Sequence, residues 1–227
     1  MSPILEQGNS ERFPNMTTMI FYCFFFIVRS AYLPTTSVWY DFYSRQKVTG
    51  GEVRTTLLPL TPPFVKLVEC SPQVTLTSSL SVETDSVPLH VRGGAILPSH
   101  LPGLTTQQTR TNNMTLTVYL DDSGVASGLL YLDDGESIDA EKLGFYSLME
   151  FSVEEGGMTG MRKGVAGYTD AKFVVANIWV CGVADNVSGV MVDNAIHEDF
   201  VYSADEATLH IGSLAFDPIH EFTVHWV

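Results

Sequence analysis

The sequence predicts an all-β protein built as two β-sandwich domains in tandem. Three observations carry that expectation. Short strand-like runs recur along the chain, Gly and Pro punctuate the gaps between them, and no long stretch shows capped helical spacing. With 45% hydrophobic residues in 227, the chain has the material for a substantial core.

In chain order the expected strands are "SVWYDFY" (37–43), "VPLHVRG" (87–93), "MTLTVYL" (114–120), "GLLYL" (128–132), "YSLMEFSV" (146–153), "KFVVANIWVCGV" (172–183), "GVMVD" (189–193), "ATLHIGSL" (207–214) and "EFTVHWV" (221–227). Two of them alternate plainly. In 114–120, Leu116, Val118 and Leu120 share one face and Thr115, Thr117 and Tyr119 the other; in 221–227, Phe222, Val224 and Trp226 oppose Glu221, Thr223 and His225. Alternation of this kind predicts one wall on a core and one in water. The acidic pairs Asp121-Asp122 and Asp133-Asp134 sit where strands end, each followed by Gly. Asp bonds its own backbone and Gly accepts positive φ, so both read as turns.

Charge divides the chain. Residues 1–111 hold seven acids and eight Lys or Arg, whereas 112–227 hold nineteen acids and four bases. The break falls in "TTQQTRTNN", which predicts a linker over 105–113 between a first domain, 1–104, and a second, 114–227. A net charge of −14 excludes nucleic acid and anionic membranes as expected partners. The apolar run "MIFYCFFFIV" (19–28) is half the length of a spanning helix, so no transmembrane span is expected. The first residues lack a signal-peptide pattern.

Candidate chemistry is sparse. "DDGESID" gathers Asp133, Asp134 and Glu136, a grouping open to three readings: a glycosidase pair, a calcium loop or a strand turn. It lacks EF-hand spacing, and the turn is the preferred reading. His90, His100, His197, His210, His220 and His225 are dispersed, without zinc-ligand spacing, and neither a GxSxG nor a phosphate-binding loop occurs. No catalytic, metal or cofactor residue is therefore expected. Cys23, Cys70 and Cys181 give no complete disulfide framework. Sequons at Asn15, Asn113 and Asn186 favour a secretory route. Trp39, Trp179 and Trp226 are candidates for stacking on sugar rings, with core packing the alternative.

Several stretches together resemble the C-terminal region of family 31 α-glucosidases. They are "SPILEQG" (2–8), "WYDFYS" (39–44), "GGEVRTTLL" (50–58), "VPLHVRGGAILP" (87–98) and "LDDSGVASGLLYLDDGESID" (120–139). The resemblance implies a proximal and a distal β-sandwich following a catalytic (β/α)₈ barrel that these residues lack. It also implies a non-catalytic role supporting that barrel, with the barrel as partner, α-glucan as substrate of the parent enzyme and the secretory pathway as its compartment. The acidic turn is then framework. Two stretches depart from the family pattern, 11–28 and 61–83, and are expected to be non-family inserts, of intron or gene-model origin. The alternative is a free-standing carbohydrate-binding sandwich.

Overall fold

The computed structural model describes residues 26–48, 50, 53–59, 80–81, 89–164, 167–184 and 186–227. Most of the expected inserts 11–28 and 61–83 lie outside these residues, as do Asn15, Cys23 and Cys70. In chain order the strands are β1 (Phe26–Tyr32), β2 (Trp39–Asp41), β3 (Lys47–Val48), β4 (Val53–Pro59), β5 (Leu80–Ser81), β6 (His90–Arg92), β7 (Ala95–His100), β8 (Met114–Tyr119), β9 (Ala126–Leu132), β10 (Ser147–Glu154), β11 (Gly157–Arg162), β12 (Val175–Cys181), β13 (Val190–Val192), β14 (Ala195–His197), β15 (Phe200–Ser203), β16 (Thr208–Ile211) and β17 (Phe222–Trp226). Two short helices, α1 (Thr106–Thr111) and α2 (Ala140–Leu143), complete the described structure. The protein is all-β, as the strand pattern predicts.

Eleven strands form one sheet in the order β14-β13-β17-β11-β10-β9-β7-β8-β12-β16-β15; β1-β4-β5 and β3-β2-β6 form two further small sheets. The large sheet folds over where β9 meets β7. A single residue pair, Ala95 with Ser127, joins those strands, and Gly128 is what allows the crossing: a Cβ there would lie 2.4 Å from the Ile96 carbonyl oxygen. The two halves then enclose one core. Leu116, Val118, Ile178, Val180, Leu209 and Ile211 come from one half, and Met149, Phe151, Val153, Met158, Phe222 and Val224 from the other. Phe222 stacks on Phe216 at 4.2 Å and lies 6.0 Å from Phe151. Each such side chain contributes about 1.5–3 kcal/mol through burial.

The alternation of β17 is as expected: Phe222 and Val224 are buried, while His225 and Glu221 are exposed. That of β8 is not. Thr117 and Tyr119, expected to face water, are buried along with Leu116 and Val118. The reason is a further layer: Tyr119 and Cys181 pack under Val38 and Tyr40 of the β3-β2-β6 region, with Val91 and Leu97 against them. Tyr40 seals this contact by donating its hydroxyl to the Leu120 carbonyl at 2.7 Å.

Residues 105–113 are not extended. Thr105 caps α1, its side chain accepting from the Gln108 N–H at 3.2 Å. On either side, β7 and β8 pair antiparallel over six residues, Ala95 with Tyr119 through His100 with Met114. The chain thus leaves and re-enters one sheet across the stretch where the composition changes.

Candidate functional site

The acidic turn after β9 shows where its carboxylates go. Asp133 Oδ1 accepts the Gly135 N–H at 2.9 Å and the Arg110 guanidinium at 3.1 Å; Arg110 also bonds the Asp133 carbonyl oxygen. Asp134 Oδ1 accepts the N–H groups of Glu136 (3.0 Å) and Ser137 (2.9 Å), and its other oxygen takes the Ser137 hydroxyl. These bonds, the Ser137 hydroxyl first among them, hold the Asp134 carboxyl down at about 2. Gly135 has φ +72, and a Cβ on it would meet the Arg110 guanidinium carbon at 2.5 Å. Asp133 and Asp134 therefore serve as Asx turns pinned by one arginine of α1. The turn borders a cleft of about 540 Å³, with Tyr131, Tyr168, His100 and Lys172 on its other walls.

The turn after β8 uses the same device. Asp121 Oδ1 accepts from Ser123 (2.8 Å) and Val125 (3.0 Å), and Gly124 follows at φ +74. It borders a second cleft, of about 560 Å³, together with Asp122, Glu155, Asn186, Lys47 and Trp226.

The three tryptophans have different surroundings. Trp39 is half-buried and donates its indole N–H to the Pro34 carbonyl at 3.0 Å. Trp179 is stacked on the directly opposite His210 at 4.2 Å, with the Arg45 guanidinium over its ring at 4.3 Å. Burial, with help from the positive Arg45, lowers the His210 pKa. Trp226 packs partly on the core and lines the second cleft. Asn113 and Asn186 are both exposed, and Asn113 Oδ1 accepts from the Val174 N–H at 3.4 Å.

Burial governs two groups beneath the small sheet. Cys181 is a free thiol whose pKa is pushed up to about 12 by desolvation, and Tyr119 beside it is raised to about 12 for the same reason. Among the described residues no group of three or more His, Cys, Asp or Glu could hold a metal ion. No helix among them is long and apolar enough to cross a membrane. Sequence reading singles out neither Arg110 nor Arg45, since each acts through a turn or ring 23 or more residues away. Nothing in the local pattern signals those contacts.

Comparison with known proteins bears on this arrangement. Residues 27–97 match the family described as "Glycosyl hydrolase family 31 C-terminal domain". The chain is 31% identical over 198 residues to glucoamylase 1 of Candida albicans, covering 84% of this chain and 17% of that protein. It is 32% identical over 148 residues to intestinal sucrase-isomaltase of Rattus norvegicus, covering 63% and 8% respectively. To the lysosomal alpha-glucosidase of Bos taurus it is 29% identical over 198 residues, covering 87% and 20%. Among solved structures, the ER glucosidase II heterodimeric complex superposes with a TM-score of 0.65 at 19% identity, over 88% of this chain and 21% of that one. A family 31 dextranase of Flavobacterium johnsoniae, complexed with isomaltotriose in one structure, gives 0.61 at 14%, over 88% and 24%. The chain thus spans a quarter or less of each protein named here. It belongs with the C-terminal region of family 31 glycoside hydrolases, and the fold is that of their β-rich C-terminal part.

Proposed function

We propose that this chain is the non-catalytic C-terminal part of an α-glucosidase, a support for a catalytic (β/α)₈ barrel carried elsewhere in the parent enzyme. The parent reaction is the hydrolysis of terminal α-1,4-linked glucose, and the parent's compartment is the secretory pathway. The relatives' names, which include a lysosomal alpha-glucosidase and an intestinal sucrase-isomaltase, support an α-glucosidase parent and that compartment. Exposed sequons at Asn113 and Asn186 agree with glycosylation on that route.

The observation that carries the proposal is the commitment of Asp133 and Asp134 to their own turn and to Arg110. A retaining glycosidase needs two carboxyls about 5–5.5 Å apart across an accessible scissile bond, one of them free to attack. Carboxylates occupied by backbone N–H groups supply framework instead. The proposal keeps a proximal unit, 1–104, and a distal unit, 114–227, either side of 105–113, with β7 as the strand through which the first completes the sheet of the second. A purified chain incubated with maltose tests the proposal: no glucose release is expected, and turnover abolished by substituting Asp133 or Glu136 would overturn it.

A further inference from the structure

We propose that the cleft bounded by Trp226 is a binding site for neutral hexose units. Its volume, about 560 Å³, suits a short oligosaccharide. Three kinds of group converge there, and sugars need all three. Trp226, the end of β17, supplies an aromatic surface anchored from behind by the core. Gly156 lies beside its indole edge, where even an added Cβ would make only ordinary contact, 3.7 Å from Nε1. Among the described residues no acceptor takes that N–H, which leaves it for a ligand hydroxyl.

The acceptors are Asp122 and Glu155, on two different turns. Asp122 is 75% exposed and only loosely paired, 3.5 Å from Lys47 Nζ. Glu155 is exposed and held at φ +48 by its two-residue turn with Gly156. Asp121, by contrast, is committed to its own turn. Carboxylates accept hydroxyl protons in short, strong bonds, and two of them against one lysine disfavour an anionic ligand. Lys47 reaches the cleft from β3, so a ligand would also touch the small sheet.

Two sources of hexose fit this chemistry: a free α-glucan end or a glycan on Asn186, which lines the same cleft. The choice of α-glucose rests on the proposed function; the cleft itself does not. The test uses the full chain made without glycans, titrated with maltotriose while the Trp226 indole N–H resonance, identified by its loss in Trp226→Phe, is followed by NMR. The same resonance is compared in chain glycosylated at Asn186. We expect saturable movement with a Kd on the order of 1 mM, weakened about tenfold in Asp122→Asn/Glu155→Gln, with the melting temperature unchanged. A resonance displaced only by the attached glycan would assign the site to that source. Movement in neither sample, or equal affinity in the double variant, would overturn the site. Turnover of maltose, should it be seen, would contradict the proposed function without touching this one.

Discussion

Replacing Gly182 by alanine probes the contact between the small and large sheets. Gly182 lies at φ +89, where an L side chain is strained, at a cost of about 1–2 kcal/mol. The added Cβ would fall 2.2 Å from the Tyr40 hydroxyl oxygen and 3.6 Å from Leu120 Cβ. Tyr40, only 2% exposed, must then swing away and release its 2.7 Å bond to the Leu120 carbonyl. A buried acceptor left unpaired costs a further 1–3 kcal/mol, roughly. The sum is about 2–5 kcal/mol, a large fraction of a typical domain's stability. Tyr40→Phe removes the bond and the closest clashing atom, leaving the ring carbon Cζ 3.2 Å from the new Cβ, so in that background Gly182→Ala should cost its backbone strain, about 1–2 kcal/mol, plus a small shift of the ring. Urea unfolding of the four proteins in this double-mutant cycle reads the difference. A cost below 0.5 kcal/mol for Gly182→Ala, roughly the noise of such cycles, or an equal cost in both backgrounds, would show that the Tyr40 hydroxyl does not seal this contact.

Other consequences follow from the same geometry. Phe151→Ala, at a residue with no exposure, should destabilise by about 3–5 kcal/mol in the same urea assay. Asp134 should titrate near 2 in a carbon-detected NMR series, below its usual 3.8. Because its folded-state pKa is depressed, its stabilising bonds are fully present above the usual carboxylate pKa and are lost as pH falls toward 2; Asp134→Asn should flatten the stability profile across that window. Cys181 should resist a thiol reagent at pH 8 in the native protein and react on unfolding, since its burial keeps the thiol protonated.

Much of this architecture is legible in the residues. The alternating apolar positions of β8, β10 and β17 mark their core faces because the side-chain period of a strand is two. The Asp-Asp pairs with a glycine close behind, Asp121-Asp122-Ser123-Gly124 and Asp133-Asp134-Gly135, mark turns because both residue types have a local reason to be there. Strand β11, "GMTGMR", escapes such reading. Its glycines stand opposite His225 and Phe222, and Cβ atoms at 157 and 160 would lie 2.5 and 2.4 Å from those side chains. That requirement belongs to the neighbouring strand and leaves no trace in the local pattern. The buried outer face of β8 is hidden for the same reason, since the layer covering Tyr119 comes from Val38 and Tyr40, some 80 residues upstream. Of the candidate sites, the aromatic rings and carboxylates are visible in sequence, but their neighbours are not. Only the fold shows that Arg45 and His210 occupy Trp179, whereas Trp226 borders open space.

In the proposed function these sheets serve a catalytic barrel carried by the same parent protein. The size of the native product tests it most directly, by immunoblot with antibodies against residues 112–227. A band at several times 25.0 kDa, the mass of this chain, is expected. A single stable band at the chain's own mass would contradict it and leave the hexose-binding cleft as the molecule's function.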